Sequence, residues 1–155
     1  MQHVRDKAAP GALLERTFAE VLERQTFLFS ERVEPGDLPA ADGPLVEITV
    51  DYSGPATGAL RLALPAALGA LIAANMLGVE PDSREVQAGW QDAAKELANV
   101  LCGHVLTARD GPTAIYKLAA PQIEAIDAAR WSAACGDAGA VACCVEELPA
   151  VVRLM

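Results

Sequence analysis

Asp92, Glu96, Asn99 and Gly103 stand at spacing i, i+4, i+7 and i+11. A helix turns about 100° per residue, so all four fall within about 60° of one another, on one edge. Two carboxylates and an amide there offer acceptors for a cation and one group that both donates and accepts hydrogen bonds. Asn is a poor former of helix interiors, and Gly costs ~1 kcal/mol against Ala in mid-helix. Gly103 leaves a flat spot beside Asn99 where another backbone can approach closely. Periodicity alone also allows a plainer account, in which this edge is the wet side of an amphipathic helix.

The helix that must carry these residues is legible around them. Trp90, Ala94, Leu97, Leu101 and Val105 gather on a separate stripe, which is the predicted core side. Asp82 and Glu85 form an Asp variant of the capping box, and Gly111-Pro112 is a stop signal. The pattern predicts a helix from about Ser83 to Arg109. His104 falls at the border of the core stripe and reads as a boundary histidine with a local hydrogen bond. It lies eight residues after Glu96, so the two do not make a zinc-binding HExxH.

The flanking chain supplies the scaffold. Leu13, Leu14, Phe18, Val21, Leu22 and Phe27 give a helical stripe over about Ala12 to Phe29. A Pro/Gly/Asp-rich loop follows from Glu34 to Pro44. Val46, Ile48, Val50 and Tyr52 then alternate with Glu47, Thr49 and Asp51, the pattern of a strand with one solvated face. Leu60, Leu62 and Leu64 continue the alternation across a short Ser-Gly-Pro turn, so the two strands form a hairpin. Pro65 opens a second, nearly all-apolar helix that Gly78 ends. Beyond the long helix, strands are predicted at Ala114–Ala119, Arg130–Ala134, Val141–Val145 and Val151–Leu154, with a turn at Gly136–Gly139.

Composition narrows the functions. A chain of 155 residues that is 52% hydrophobic and 21% charged has the makings of a folded core. Its net charge of −9 argues against nucleic acid and favours a basic protein partner. Met1 to Pro10 lacks the apolar run of a secretory signal and is read as a flexible N-terminus, ahead of a single domain over residues 11–155. The apolar run Leu62–Ala74 is too short to span a bilayer and holds Pro65. Cytoplasmic placement is the expectation. Cys102, Cys135, Cys143 and Cys144 form no CxxC pair and read as buried or half-buried thiols. No Gly-rich phosphate loop, Ser/His/Asp set or metal-ligand spacing is found, which counts against a small-molecule enzyme.

The segment Asp92-Ala-Ala-Lys-Glu96-Leu-Ala-Asn99-Val-Leu-Cys-Gly103 resembles the signature helix of the CheX/CheC/FliY family of bacterial chemotaxis phosphatases. That motif has Asp or Ser, Glu four residues on, and Asn three further. The hairpin Val46–Leu64 and the following helix ending in Met76-Leu77-Gly78 stand in the matching order. Relatives of CheC type carry the motif twice, whereas the helix at Leu13–Phe29 has no Asn. This is the one-site pattern of CheX.

The resemblance implies an α+β fold, an antiparallel sheet with two or three long helices packed on it. It implies hydrolysis of an aspartyl phosphate on a CheY-like receiver domain of a response regulator. Asn99 would orient the attacking water, Glu96 would pair with the receiver's active-site Lys, and Asp92 and Gly103 would belong to the docking surface. No cofactor of its own is implied; Mg²⁺ is expected on the receiver. Relatives of CheX type dimerise through their sheets, so a homodimer is expected, with Val141–Val145 and Val151–Leu154 as edge strands. The competing readings are a non-catalytic receiver-binding or dimerisation module and a component of a motor switch.

Overall fold

A computed structural model of the chain describes residues 11–155; the N-terminal stretch expected to be flexible, residues 1–10, lies outside the described residues. The elements run α1 (Ala12–Thr26), β1 (Ser30–Arg32), a 3-10 turn (Pro35–Asp37), β2 (Leu45–Ser53), β3 (Gly58–Pro65), α2 (Ala66–Leu77), α3 (Arg84–Asp110), β4 (Lys117–Leu118), β5 (Gln122–Ile126), α4 (Ala128–Cys135), β6 (Val141–Val145) and β7 (Leu148–Leu154). All seven strands join one antiparallel sheet in the order β1-β6-β7-β3-β2. The outer edge of β2 is shared by β4 and β5. The fold is the expected α+β class.

The hairpin is the centre of the sheet. Val46 pairs with Leu64, Ile48 with Leu62 and Val50 with Leu60, so the alternating apolar residues of both strands share one face. That face packs against α1, α2 and α3 in the main core, with Phe18, Leu22, Leu68, Ile72, Leu97 and Leu101. Each such side chain contributes about 1.5–3 kcal/mol on burial. The opposite face carries α4 and a smaller cluster of Ala63, Ala134 and Val151.

Several expectations are corrected by the fold. Helix α1 ends at Thr26, because Phe27 adopts a left-handed conformation (φ 60°) and caps it. Leu28 turns into the core while Phe27 and Phe29 are exposed. The cap of α3 is Ser83, whose Oγ accepts from Val86 N–H at 3.3 Å, not Asp82. Pro65 ends β3 as the N-cap of α2, one residue before the helix. Only Lys117–Leu118 of the strand expected at 114–119 is extended in the sheet, and the ladder resumes at Gln122 as β5, which the sequence did not suggest. Pro121 has no N–H for the ladder, which separates the two pieces.

The strand expected at Arg130–Ala134 is helix α4. Asp127 caps it, its carboxylate accepting from Arg130 N–H at 2.8 Å, and Ala-rich sequence sustains it. Strands β6 and β7 are interior: β6 lies between β1 and β7, and β7 between β6 and β3. They are not the sheet edges through which a second copy was expected to pair. Glu47, placed on a solvated face by its alternation, is buried. Arg61, Arg130 and Arg153 surround its carboxylate.

Candidate functional site

Helix α3 runs unbroken for 27 residues, and its position is fixed at both ends and along one side. Leu97, Ala98, Leu101, Cys102, Val105 and Leu106 are all buried beneath it. The core side is therefore wider than the stripe read from the sequence, reaching round to Leu106 beside the Asn99 edge. In the N-terminal half of α3, Trp90 packs on α2 at Gly69. A Cβ on Gly69 would come within 2.4 Å of Trp90 Cε3, so only glycine permits this contact.

The C-terminal end is tied by a polar cluster. Arg109 Nη2 donates to Asp110 Oδ2 at 2.9 Å and to Tyr116 Oη at 3.2 Å, and Tyr116 donates to Asp110. The Arg109 guanidinium lies 5.7 Å from the Tyr52 ring centroid, and Tyr52 and Tyr116 meet edge-on at 5.6 Å. Hydrogen bonds from Arg109 and Tyr116 hold the Asp110 carboxyl below its ordinary range. The chain leaving α3 is thereby folded back along the helix.

The four motif residues lie where the helical spacing placed them, on the edge of α3 away from the core. Asp92 is open, its side chain 85% exposed and 3.6 Å from Lys95 Nζ. Glu96 is exposed and Asn99 half-buried. Among the described residues neither makes a side-chain hydrogen bond or an ion pair, so both heads are free to meet a partner. Gly103 forms a saddle between two shallow grooves. One is lined by Thr17 and Glu20 of α1 with His104 and Thr107; the other by Leu106, Thr107, Ala114, Ile115, Tyr116 and Leu118.

His104 is exposed and, among the described residues, has no hydrogen-bond partner, in contrast to the local bond expected for it. Thr107 lines both grooves as well, and it continues the Gly103 edge four residues on, a spacing already legible in the sequence. Ile115, Tyr116 and Leu118 had no local signal, because they reach the helix only through the Arg109–Tyr116 cluster. The thiols are free: Cys102 and Cys143 are buried, Cys135 and Cys144 half-buried. Burial pushes the Cys102 thiol up to about 11, against a smaller lowering by Arg109. No helix among the described residues is long and apolar enough to cross a membrane.

Comparison with known proteins agrees with this architecture. The family described as "Chemotaxis phosphatase CheX" matches residues 46–134, from the first central strand through the motif helix into α4. No curated protein sequence matches the chain. Among solved structures, CheX from Desulfovibrio desulfuricans is similar at 14% identity and a TM-score of 0.67, covering 94% of this chain and 97% of that one. CheX in the CheX-CheY-BeF3-Mg complex of Borrelia burgdorferi is similar at 13% identity and a TM-score of 0.64, covering 92% and 94%. Thermotoga maritima FliY is similar at 16% identity and a TM-score of 0.59, covering 94% and 85%. With more than half of its length matched by the family and its motif helix inside that match, this chain belongs to the CheX family of chemotaxis phosphatases.

Proposed function

We propose that this protein hydrolyses the aspartyl phosphate of a CheY-like receiver domain by laying the Glu96–Asn99 edge of α3 into the receiver's active site. The observation that carries the reading is the pairing of those two side chains. Both project from one edge of a helix that is immobilised by its core, and neither is engaged within the chain. A CheX relative similar in fold was solved with CheY, beryllofluoride and Mg²⁺, which supports a receiver as the partner.

The chemistry suits the residue types. An acyl phosphate is already reactive, and Mg²⁺ and a Lys on the receiver would hold its phosphoryl oxygens. What remains is to place a water in line for attack. The Asn99 amide oxygen can accept a hydrogen bond from that water and so orient it, while bringing no charge near the phosphoryl anion. Glu96, one turn before it, would pair with the receiver Lys and set the register. Asp92 and Gly103 would complete the docking surface, Gly103 by letting the partner's backbone close on the helix. This reading needs no metal or cofactor on the CheX-like chain itself.

The test is phosphate loss from receivers encoded beside this gene, charged with acetyl phosphate. Wild-type protein accelerates loss from at least one. Asn99→Ala brings the rate to that of the receiver alone, while affinity for the beryllofluoride-activated receiver is partly kept. Wild-type binding without acceleration overturns hydrolysis and leaves a non-catalytic receiver-binding module. The same protein is proposed to be a cytoplasmic homodimer with one domain over residues 11–155. Analytical ultracentrifugation checks the dimer, and a clean monomer at micromolar concentration removes it.

A further inference from the structure

The proposed active edge of α3 does not end at Gly103. The groove on its far side is walled by the segment that follows the helix, and Ile115 stands at its rim with 79% of its surface exposed. No other large apolar side chain among the described residues is more exposed. A lone exposed Ile needs no explanation in a mobile loop. This one sits next to a fixed peptide. The next residue, Tyr116, is fixed by Arg109, Asp110 and the edge of Tyr52. The carbonyl joining the two packs on the Gly54 backbone so closely that a Cβ on Gly54 would lie 2.6 Å from it. The backbone is clamped and the side chain is left outside.

We infer that Ile115 is an apolar docking anchor for the same receiver domain, seated beside the catalytic edge rather than in it. This rests on the proposed phosphatase reading, which supplies the occupant. The argument for that occupant is continuity. Gly103 and Thr107 share one edge of α3 with Glu96 and Asn99, and the same two residues line the groove beneath Ile115. Gly103 is four residues from Asn99, about 6 Å along the axis. A partner that brings a phosphoryl group to Asn99 and closes over Gly103 comes up against the groove that Ile115 lines. A second copy of this chain is a poorer occupant, since Asp92, Glu96 and Asp110 on that edge would face their own kind. A side chain on a preorganised backbone loses less freedom when it is buried on association, which favours it as an anchor.

The receiver therefore presents an apolar contact next to its phosphorylation site. Ile115 sets affinity, and Asn99 sets the chemical step. Steady-state hydrolysis of the phosphorylated receiver tests this. Ile115→Ser raises KM five- to twenty-fold, with turnover at saturating receiver within two-fold of wild type, and Ile115→Leu restores KM. Because the side chain is exposed, the Ser variant keeps the thermal stability of wild type, which circular dichroism verifies. If wild type hydrolyses a receiver and KM does not move in Ile115→Ser, the anchor is wrong and the phosphatase reading stands. If wild type binds the beryllofluoride-activated receiver without hydrolysing it, the affinity of Ile115→Ser for that receiver decides the anchor alone. If wild type binds no receiver, both readings fall.

Discussion

Arg153 Nη2 donates to Glu47 Oε2 at 2.6 Å, across the sheet face opposite the three long helices. The Glu47 side chain is 3% exposed and that of Arg153 12% exposed, so this is a buried ion pair. Arg130 on α4 donates to the other carboxylate oxygen at 2.8 Å, and Arg61 approaches it at 3.8 Å. The Glu47 carboxylate thus meets three guanidinium groups and ties α4 to the sheet, while Glu124 and Asp137 take further contacts of Arg130 and Arg153.

Removing that carboxylate takes the buried negative charge out of the cluster and leaves Arg153 only its 3.3 Å contact with Asp137 and Arg130 only Glu124. Glu47→Ala is expected to destabilise the fold by about 3 kcal/mol or more. Arg130→Ala, whose side chain is nearly half exposed, is expected to cost under ~1 kcal/mol. Urea unfolding of both variants measures the difference. Equal costs would mean that Glu47 is not the hub of the network.

The start of the motif helix depends on Ser83. Ser83→Ala removes the acceptor for Val86 N–H and is expected to cost about 1 kcal/mol, whereas Asp82→Ala is close to neutral. Thermal unfolding of the two variants separates the cap from its neighbour. A larger loss in Asp82→Ala would reverse the assignment.

Gly103 separates stability from activity. A Cβ there would meet only Leu118 Cδ1, at 4.0 Å, an ordinary contact. Gly103→Ala should therefore stabilise the protein by about 0.5–1 kcal/mol through helix propensity. If a receiver backbone closes on this spot, the same variant hydrolyses more weakly, with a raised KM. A variant that is both more stable and fully active would show that the flat spot has no docking role.

The buried thiols give the protein an alkaline limit. Burial raises Cys102 to about 11 and Cys143 to about 12, while in the unfolded chain thiols ionise from about pH 8.5. The unfolded state then binds fewer protons than the folded state, so stability falls as pH rises through this interval. Below about pH 8.5 the contribution is fully present. Urea midpoints recorded from pH 7 to 11 should drop for wild type. In Cys102→Ala the protein starts less stable, because a core atom is lost, but its decline with pH is shallower. Parallel declines would exclude Cys102 as the titrating group.

The local parts of this protein follow from short stretches of its chain. Residue type and period placed Asp92, Glu96, Asn99 and Gly103 on one edge of a long helix, and placed Val46–Tyr52 against Leu60–Leu64 as a hairpin. Both are short-range patterns, readable because neighbours along a helix or strand share a face by geometry. Long-range packing settles what those local patterns leave open. Glu47 alternates like a solvated residue, yet its partners Arg130 and Arg153 stand 83 and 106 positions away. Arg130–Ala134 is helical because Asp127 caps it, and β6 and β7 are interior because β1 and β3 flank them. Ile115 reaches the motif edge only because Arg109, Asp110 and Tyr116 fold the outgoing chain back on α3. Periodicity reports which side of an element avoids water; it carries no information on which distant side chain arrives there, and that arrival sets charge, burial and the shape of the motif edge.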